Sequence, residues 1–312
     1  MLLYCSKYGG ICQAKKWRCW ALLNPDKAIK ISPDARQGEN AVKYKNQYII
    51  KTTVAGETIE VQKTQSSRYG HAIPRCENIG STPSAVQKIN QINAERTLRQ
   101  LINTNFCNDD YHVVLTYKKS LRPLDIASAR LELKLVLRRL REDAKKQGIE
   151  IKYIGATEIG EKGAVHHHIV LSHIDTRFVT SAFKRRITNA DGKKEWVSLG
   201  TARFYSLWSD GQYKDLSNYI IKQTSLTLRK AGENGKRYFA SRSLKKTETK
   251  SNVVDAKTWR KVPKPPKGYM FDPALPLVNG VCEVTGLAYQ RYAFIKIKTY
   301  KARYQNYMTG AN

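Results

Sequence analysis

Hydrophobic positions along the chain switch between a period of two and a period of 3.6, and the switches mark the elements. Near residues 42–62, YKNQYIIKTTVAGETIEVQK reads as two β-rich runs around Ala55-Gly56, a hairpin. Ser81-Thr82-Pro83 supplies an N-cap and a proline at the first helical position, which predicts a helix through about residue 103. YHVVLTYKK (111–119), β-branched and aromatic, predicts a strand. From Leu124 to Gly148 the pattern is helical: Ile126, Ala129, Leu133, Val136, Leu137, Leu140 and Ala144 share one face. Arg130, Lys134, Arg138, Arg141 and Lys145 line the face beside it, which reads as a solvated basic stripe. IEIKYIGATEI (149–159) and VHHHIVLS form two strands around the turn at EKGA. A helix is expected over Arg177 to Ile187, β structure over 195–208 and a short helix over KDLSNYIIKQT (214–224). The order β-α-β-turn-β-α-β-α predicts an α+β fold, a central antiparallel sheet with helices on one side.

The histidine strand is the anomaly in this pattern. Four of the six histidines fall within eight residues, and three are adjacent, between Val165 and the apolar run Ile169, Val170, Leu171. Side chains alternate on a strand, so His166 and His168 face one side, ~7 Å apart along it, and His167 faces the other. Pairing across the turn at Lys162-Gly163 brings Glu158 beside the two histidines, with Glu161 as the fallback carboxylate. Two neutral nitrogens and one hard carboxylate suit Mg²⁺ or Mn²⁺ with open positions for phosphate oxygens. A closed zinc site calls for a fourth protein ligand, and no cysteine lies near in sequence.

Charge narrows the partner. Fifty-five basic residues against 26 acidic ones give +29, the footprint of a protein that neutralises phosphates. Residues 1–104 carry 16 basic and 7 acidic groups, 105–221 carry 20 and 14, and 222–312 carry 19 and 5. A nearly balanced chemical core thus sits between basic flanks, and nucleic acid is the expected polyanion. A membrane surface is the runner-up, but there is no long basic amphipathic helix with a Trp/Leu face. No run approaches the ~20 apolar residues of a membrane span, and the N-terminus MLLYCSKYGG has no signal-peptide core. Six sparse cysteines suggest no disulfide framework and a reducing cytosol. Cys5, Cys12 and Cys19, with His71 and Cys76, make a zinc site conceivable at a spacing unlike the common modules. No GxxxxGK[ST] run occurs, which excludes an ATP-driven helicase of that type. Three parts are expected: a basic extension with a hairpin and a helix (1–104), a catalytic domain (105–231) and a basic DNA-contacting extension (232–312). WRKVPKPPKGY, rich in proline and lysine, reads as an extended arm within the last part.

Histidine-any-histidine on a strand resembles the signature of the HUH endonucleases, which nick single-stranded DNA through a tyrosine. HVVLTYKK resembles the first motif of rolling-circle replication initiators, GEKGAVHHHIVL the second and NYIIK the third, in the family's order. DYHVVLTYK, DLSNYIIKQT and YFASRSLKK look most like the gene-II-like initiators of filamentous phages and small bacterial plasmids. The family usually has a hydrophobic residue where this chain has His167. The resemblance implies an HUH/RRM-like βαββαβ core, metal ligands His166, His168 and Glu158, and Tyr219 as nucleophile with Lys222 one helical turn on. Tyr-x-x-Lys occurs three times, at Tyr4, Tyr48 and Tyr219, but only Tyr219 follows the histidine strand and sits on a helix. Tyr213 and Tyr205 are its substitutes, and Asp215 is a companion on the helix. The product implied is a 5′-phosphotyrosine and a free 3′-hydroxyl that primes a host polymerase. The partners implied are single-stranded or origin DNA and a host helicase and DNA polymerase, in the cytoplasm of a bacterial cell. Lys118, Arg237, Tyr238, Arg242, Lys245 and Lys246 are the expected DNA contacts, with Phe239 as a further stacking platform. Two rival readings remain: a transposase or relaxase with the same chemistry, and a non-catalytic basic nucleic-acid-binding protein with structural zinc.

Overall fold

The computed structural model describes residues 47–65, 84–160, 163–208, 211–232, 235–282 and 286–297. Its class is α+β, with antiparallel sheets and, among the described residues, four α-helices. The first hairpin is formed by β1 (Gln47–Ala55) and β2 (Thr58–Thr64). Its turn approaches helix α1 (Ser84–Asn105) so closely that a Cβ on Gly56 would lie 2.0 Å from the Asn103 carbonyl oxygen, and Gly56 has φ +56. Glycine alone tolerates both conditions. The capping residues expected at 81–83 lie outside the described residues.

The central sheet is built from β3 (Tyr111–Tyr117), β4 (Tyr153–Ile159), β5 (Val165–Leu171) and β8 (Gly200–Ser206), in the order β8-β3-β5-β4, with the two-residue β9 (Phe239–Ala240) at the β4 edge. Helix α2 (Ile126–Lys146) starts at a capping box, in which Asp125 accepts from the Ser128 N–H at 2.7 Å. All seven residues expected on its apolar face are buried. They pack against Val113, Leu115, Tyr153, Ile169 and Leu171, together with the short helix α3 (Thr176–Ala182). The helices do not lie on one side only. The opposite sheet face presents Ile154, Ala156 and Val170, and these are covered by α1 and by α4 (Lys214–Lys230) through Leu98, Ile102, Phe106, Ile220 and Ile221. An apolar patch on both faces of the sheet leaves both in need of cover.

The helix expected over Arg177 to Ile187 stops at Ala182. Lys184–Thr188 (β6) pairs instead with Lys194–Ser198 (β7) in a separate hairpin inserted before β8. The Asp191-Gly192 pair turns the chain, with Gly192 at φ +74 and Asn189 Oδ1 accepting the Lys193 N–H at 2.8 Å. Extended residues after the turn offer β6 a partner, and that outweighs its weak helical pattern.

The flanks form one sheet together. β10 (Glu248–Asp255), β11 (Tyr269–Phe271), β12 (Val278–Val281) and β13 (Ala288–Lys296) join the first hairpin, in the order β10-β1-β2-β13-β11 with β12 also on β13. The stretch read as an extended arm is laid on this sheet: Gln290 Nε2 donates to the carbonyls of Arg260 and Lys261, both at 3.0 Å. Helix α1 links the two sheets. Its apolar side faces α4, while Arg99 Nε and Nη2 donate to the two oxygens of Glu60 on β2 at 2.8 and 2.7 Å.

Candidate active site

Register brings the site together. On β5, His166 stands opposite Thr116 of β3 and Glu158 of β4, and His168 opposite Val114 and Ala156. Directly opposed residues project to the same face, so His112, Val114, Thr116, Glu158, His166 and His168 all face α1 and α4. His112, Val114, Glu158, His166, His168, Tyr205 and Tyr219 line one open cleft of ≈ 400 Å³.

His168 is the hub, 3% exposed. Its Nε2 meets Glu158 Oε2 at 2.8 Å, and its Nδ1 meets His112 Nε2 at 3.2 Å. A carboxylate only accepts, so Nε2 carries the hydrogen here; a neutral His168 then accepts at Nδ1 from His112. The Tyr219 ring stands edge-on to the His168 ring, with centroids 5.2 Å apart and an interplanar angle of 85°. The other strand-facing nitrogen, His166 Nδ1, meets the Thr116 hydroxyl at 3.0 Å. The hydrogen bond from His168 holds Glu158 below the ordinary carboxylate range in spite of its burial. Burial lowers His166, and burial together with His168 lowers His112 to about 4. At neutral pH the cleft therefore offers the Glu158 carboxylate and the uncharged imidazoles of His112 and His166. The Tyr219 phenol is raised above its usual value, by burial first and then by the charge of Glu158.

The donor set, imidazole nitrogens and a carboxylate on one face, has the chemistry of a divalent-cation site. Among the described residues, however, no three His, Cys, Asp or Glu groups are already grouped to hold a metal ion, and His168 and Glu158 are hydrogen-bonded to each other. Glu161, the alternative carboxylate, lies outside the described residues, as do Cys5, Cys12, Cys19, His71 and Cys76.

His167 faces away, as strand alternation requires, and is fully buried. Its Nε2 pairs with the Tyr117 hydroxyl at 2.9 Å and its Nδ1 with the Thr157 hydroxyl at 3.1 Å. Burial takes its pKa down to about 3, so it is a neutral, satisfied core histidine. Of the substitute tyrosines, Tyr205 is half exposed in the cleft, whereas Tyr213 is 1% exposed in the core beneath α4 and out of reach of a substrate. Lys222 and Asp215 are exposed on α4 but do not line the cleft.

The expected DNA contacts fare unevenly. Lys118, Arg242, Lys245 and Lys246 are exposed. Arg237 is tied to α4, its Nε donating to Ser225 Oγ at 2.8 Å, and Tyr238 is partly packed against the core. Phe239 is half-buried, the tip of its ring over Gly155, where a Cβ would be 2.3 Å from Cζ. His112 and Thr116 were missed by sequence reasoning. The alternation in YHVVLTYKK puts both on one face, but the register that sets them against His168 and His166 joins strands about fifty residues apart.

The histidine strand and Tyr219 lie within one segment that matches a family of replication-associated proteins. Residues 110–224 match the model of that family, the replication-associated proteins of the ORF2 and gene-II type. The match spans 115 of the 312 residues and is a likeness to those replication-associated proteins. No curated protein and no solved structure matches the chain. Among the described residues no helix is long and apolar enough to cross a membrane.

Proposed function

We propose that the protein initiates rolling-circle replication by nicking single-stranded origin DNA with Tyr219 and later rejoining the strand. The observation that carries this reading is the placement of Tyr219 against His168, with Glu158 and His166 beside it in one cleft. The chain order β3-α2-β4-β5-α3-β8, interrupted by the β6–β7 hairpin, supports an HUH/RRM-like βαββαβ core.

His166, His168 and Glu158 are the residues that would hold Mg²⁺ or Mn²⁺, and such an ion supplies Lewis acidity toward a non-bridging phosphate oxygen. The chain's own residues do the rest. Tyr219 presents its hydroxyl from a helix fixed in the core by Ile220 and Ile221. Its oxygen forms the bond to phosphorus, the P–O3′ bond breaks, and the phenolic proton passes to the 3′-oxygen through solvent. The phosphotyrosine conserves the phosphodiester, so reversal by a 3′-hydroxyl reseals the strand, and the freed 3′-hydroxyl serves a host polymerase working with a host helicase. Burial and the charge of Glu158 disfavour the Tyr219 phenolate, so a positive charge held nearby would favour its ionisation.

His112 positions His168. It pairs with Nδ1 as donor or as acceptor, so it satisfies His168 both when Nε2 donates to Glu158 and when Nε2 offers a lone pair. His112→Phe keeps the ring and removes that partner. Nicking is expected to fall about 10- to 100-fold while DNA binding stays within twofold; unchanged nicking rates would remove His112 from the site.

The function is tested on a denaturing gel with 5′- and 3′-labelled single-stranded DNA from the element's candidate origin, with Mn²⁺ or EDTA. A metal-dependent, protein-linked fragment carrying the 3′ label is expected. Absence of any adduct on every DNA tried would favour a basic binding protein.

A further inference from the structure

The β6–β7 hairpin has no role in the site described so far. Its fifteen residues, KRRITNADGKKEWVS, contain five basic and two acidic side chains. The pairing places Arg186 opposite Trp196 and Thr188 opposite Lys194, so Lys184, Arg186, Lys194 and Trp196 share one face of the ribbon. Arg186 and Lys194 are exposed, and Trp196 is 55% exposed. An indole left this far in water costs hydrophobic free energy, and no apolar cluster of the core contains it.

The ribbon is also held in place. Arg139 of α2 donates to the carbonyls of Ala182 and Lys184 at 3.0 and 2.7 Å, and its guanidinium lies 5.5 Å from the Trp196 ring centroid. On its other face Arg185 pairs with Glu132 at 2.7 Å. The root of the hairpin reaches the cleft end of the sheet: the Lys118 N–H donates to the Leu199 carbonyl at 2.8 Å, two residues beyond Thr116, whose hydroxyl meets His166. The Lys118 backbone thus joins the end of the strand that carries Thr116 to the root of the ribbon, and its side chain is exposed.

We infer that this face of the β6–β7 hairpin binds the single-stranded DNA flanking the bond held in the cleft, an unpaired base stacking on Trp196 while Arg186 and Lys194 neutralise adjacent phosphates. Cationic side chains around an exposed, immobilised aromatic ring are the elements of a single-strand platform. A duplex keeps its base faces covered and has no use for the indole. The inference rests on the reading that DNA occupies the cleft, but the hairpin's contact needs no chemistry.

The test is made on the full chain carrying Tyr219→Phe, in EDTA, so that nicking plays no part. Fluorescence anisotropy follows binding of a labelled oligothymidylate and of a duplex of equal length across a salt series. Trp196→Ala is expected to weaken single-strand binding about 10-fold with little change in salt slope, and Trp196→Phe to retain most of it. Arg186→Glu, at an exposed position that leaves folding intact, is expected to weaken binding and to lower the slope by about one phosphate contact. Wild-type affinity and slope in both Trp196→Ala and Arg186→Glu would overturn the inference. So would equal losses on duplex and single strand, which would mean a charge contact without stacking.

Discussion

Tyr219→Phe yields no covalent DNA adduct: the loss is expected to exceed about 10³-fold, the scale on which removing a nucleophile acts. The substitution deletes one oxygen and keeps the ring that stands edge-on to His168. Tyr219 is 41% exposed, so folding stability should move by no more than about 0.5 kcal/mol. Oligonucleotide affinity should hold as well, because the contacts proposed to supply it lie elsewhere. Tyr205 is the control. It lines the same cleft, its ring centroid 5.9 Å from that of His112, and it lies on the edge strand β8 rather than on α4. Tyr205→Phe should leave most of the adduct. A Tyr219→Phe protein that still forms adduct while Tyr205→Phe does not would move the nucleophile to β8.

Arg99→Ala is the most damaging change expected outside the cleft, with a loss of about 3–5 kcal/mol in unfolding free energy. Arg99 and Glu60 are 7% and 6% exposed and form a two-pronged pair, and Gln100 Nε2 adds a third bond to Glu60 at 2.9 Å. Removing the guanidinium strands a carboxylate between α1 and β2, where water cannot replace the lost partner. The damage reaches the cleft through the same helix. Four residues on, Asn103 donates to Thr58 at 3.2 Å and accepts the Tyr213 N–H, at the start of α4, at 3.0 Å. Urea unfolding of Arg99→Ala, Glu60→Gln and the double variant measures this: the double variant should recover a large part of the single loss, since no unpaired charge is then buried. Additive losses would mean that the pair acts only as separate packing groups.

The parts of the site that depend on local periodicity were legible in the chain. Alternation alone separates His166 and His168 from His167, and the short turn between β4 and β5 brings Glu158 opposite His166. The apolar face of α2 followed from its 3.6-residue period, and every residue assigned to it is buried. What depends on distant pairing was not legible. His112 and Thr116 join the cleft only through the β3–β5 register, and the same strand pattern is compatible with other registers. Tyr213 and Phe239 looked available because exposure is a tertiary property. One is buried at the start of α4 and the other is half-buried, the tip of its ring over Gly155. The basic flanks concealed a shared sheet for a similar reason: β1 and β10 pair across about two hundred residues, and hydrophobic patterning does not name a strand's partner. The β6–β7 ribbon had a local signal, Asp191-Gly192 between two short extended runs, which a helical reading of the residues before it overrode.

The most direct test of Tyr219 as the nucleophile is proteolysis of the DNA adduct, followed by mass spectrometry of the nucleotide-bearing peptide. Adduct formed by the wild-type chain with Mn²⁺ should give a single modified peptide with the phosphate on Tyr219. A nucleotide on Tyr205 or on any other residue would contradict the account, and so would a strand cut with no peptide attached.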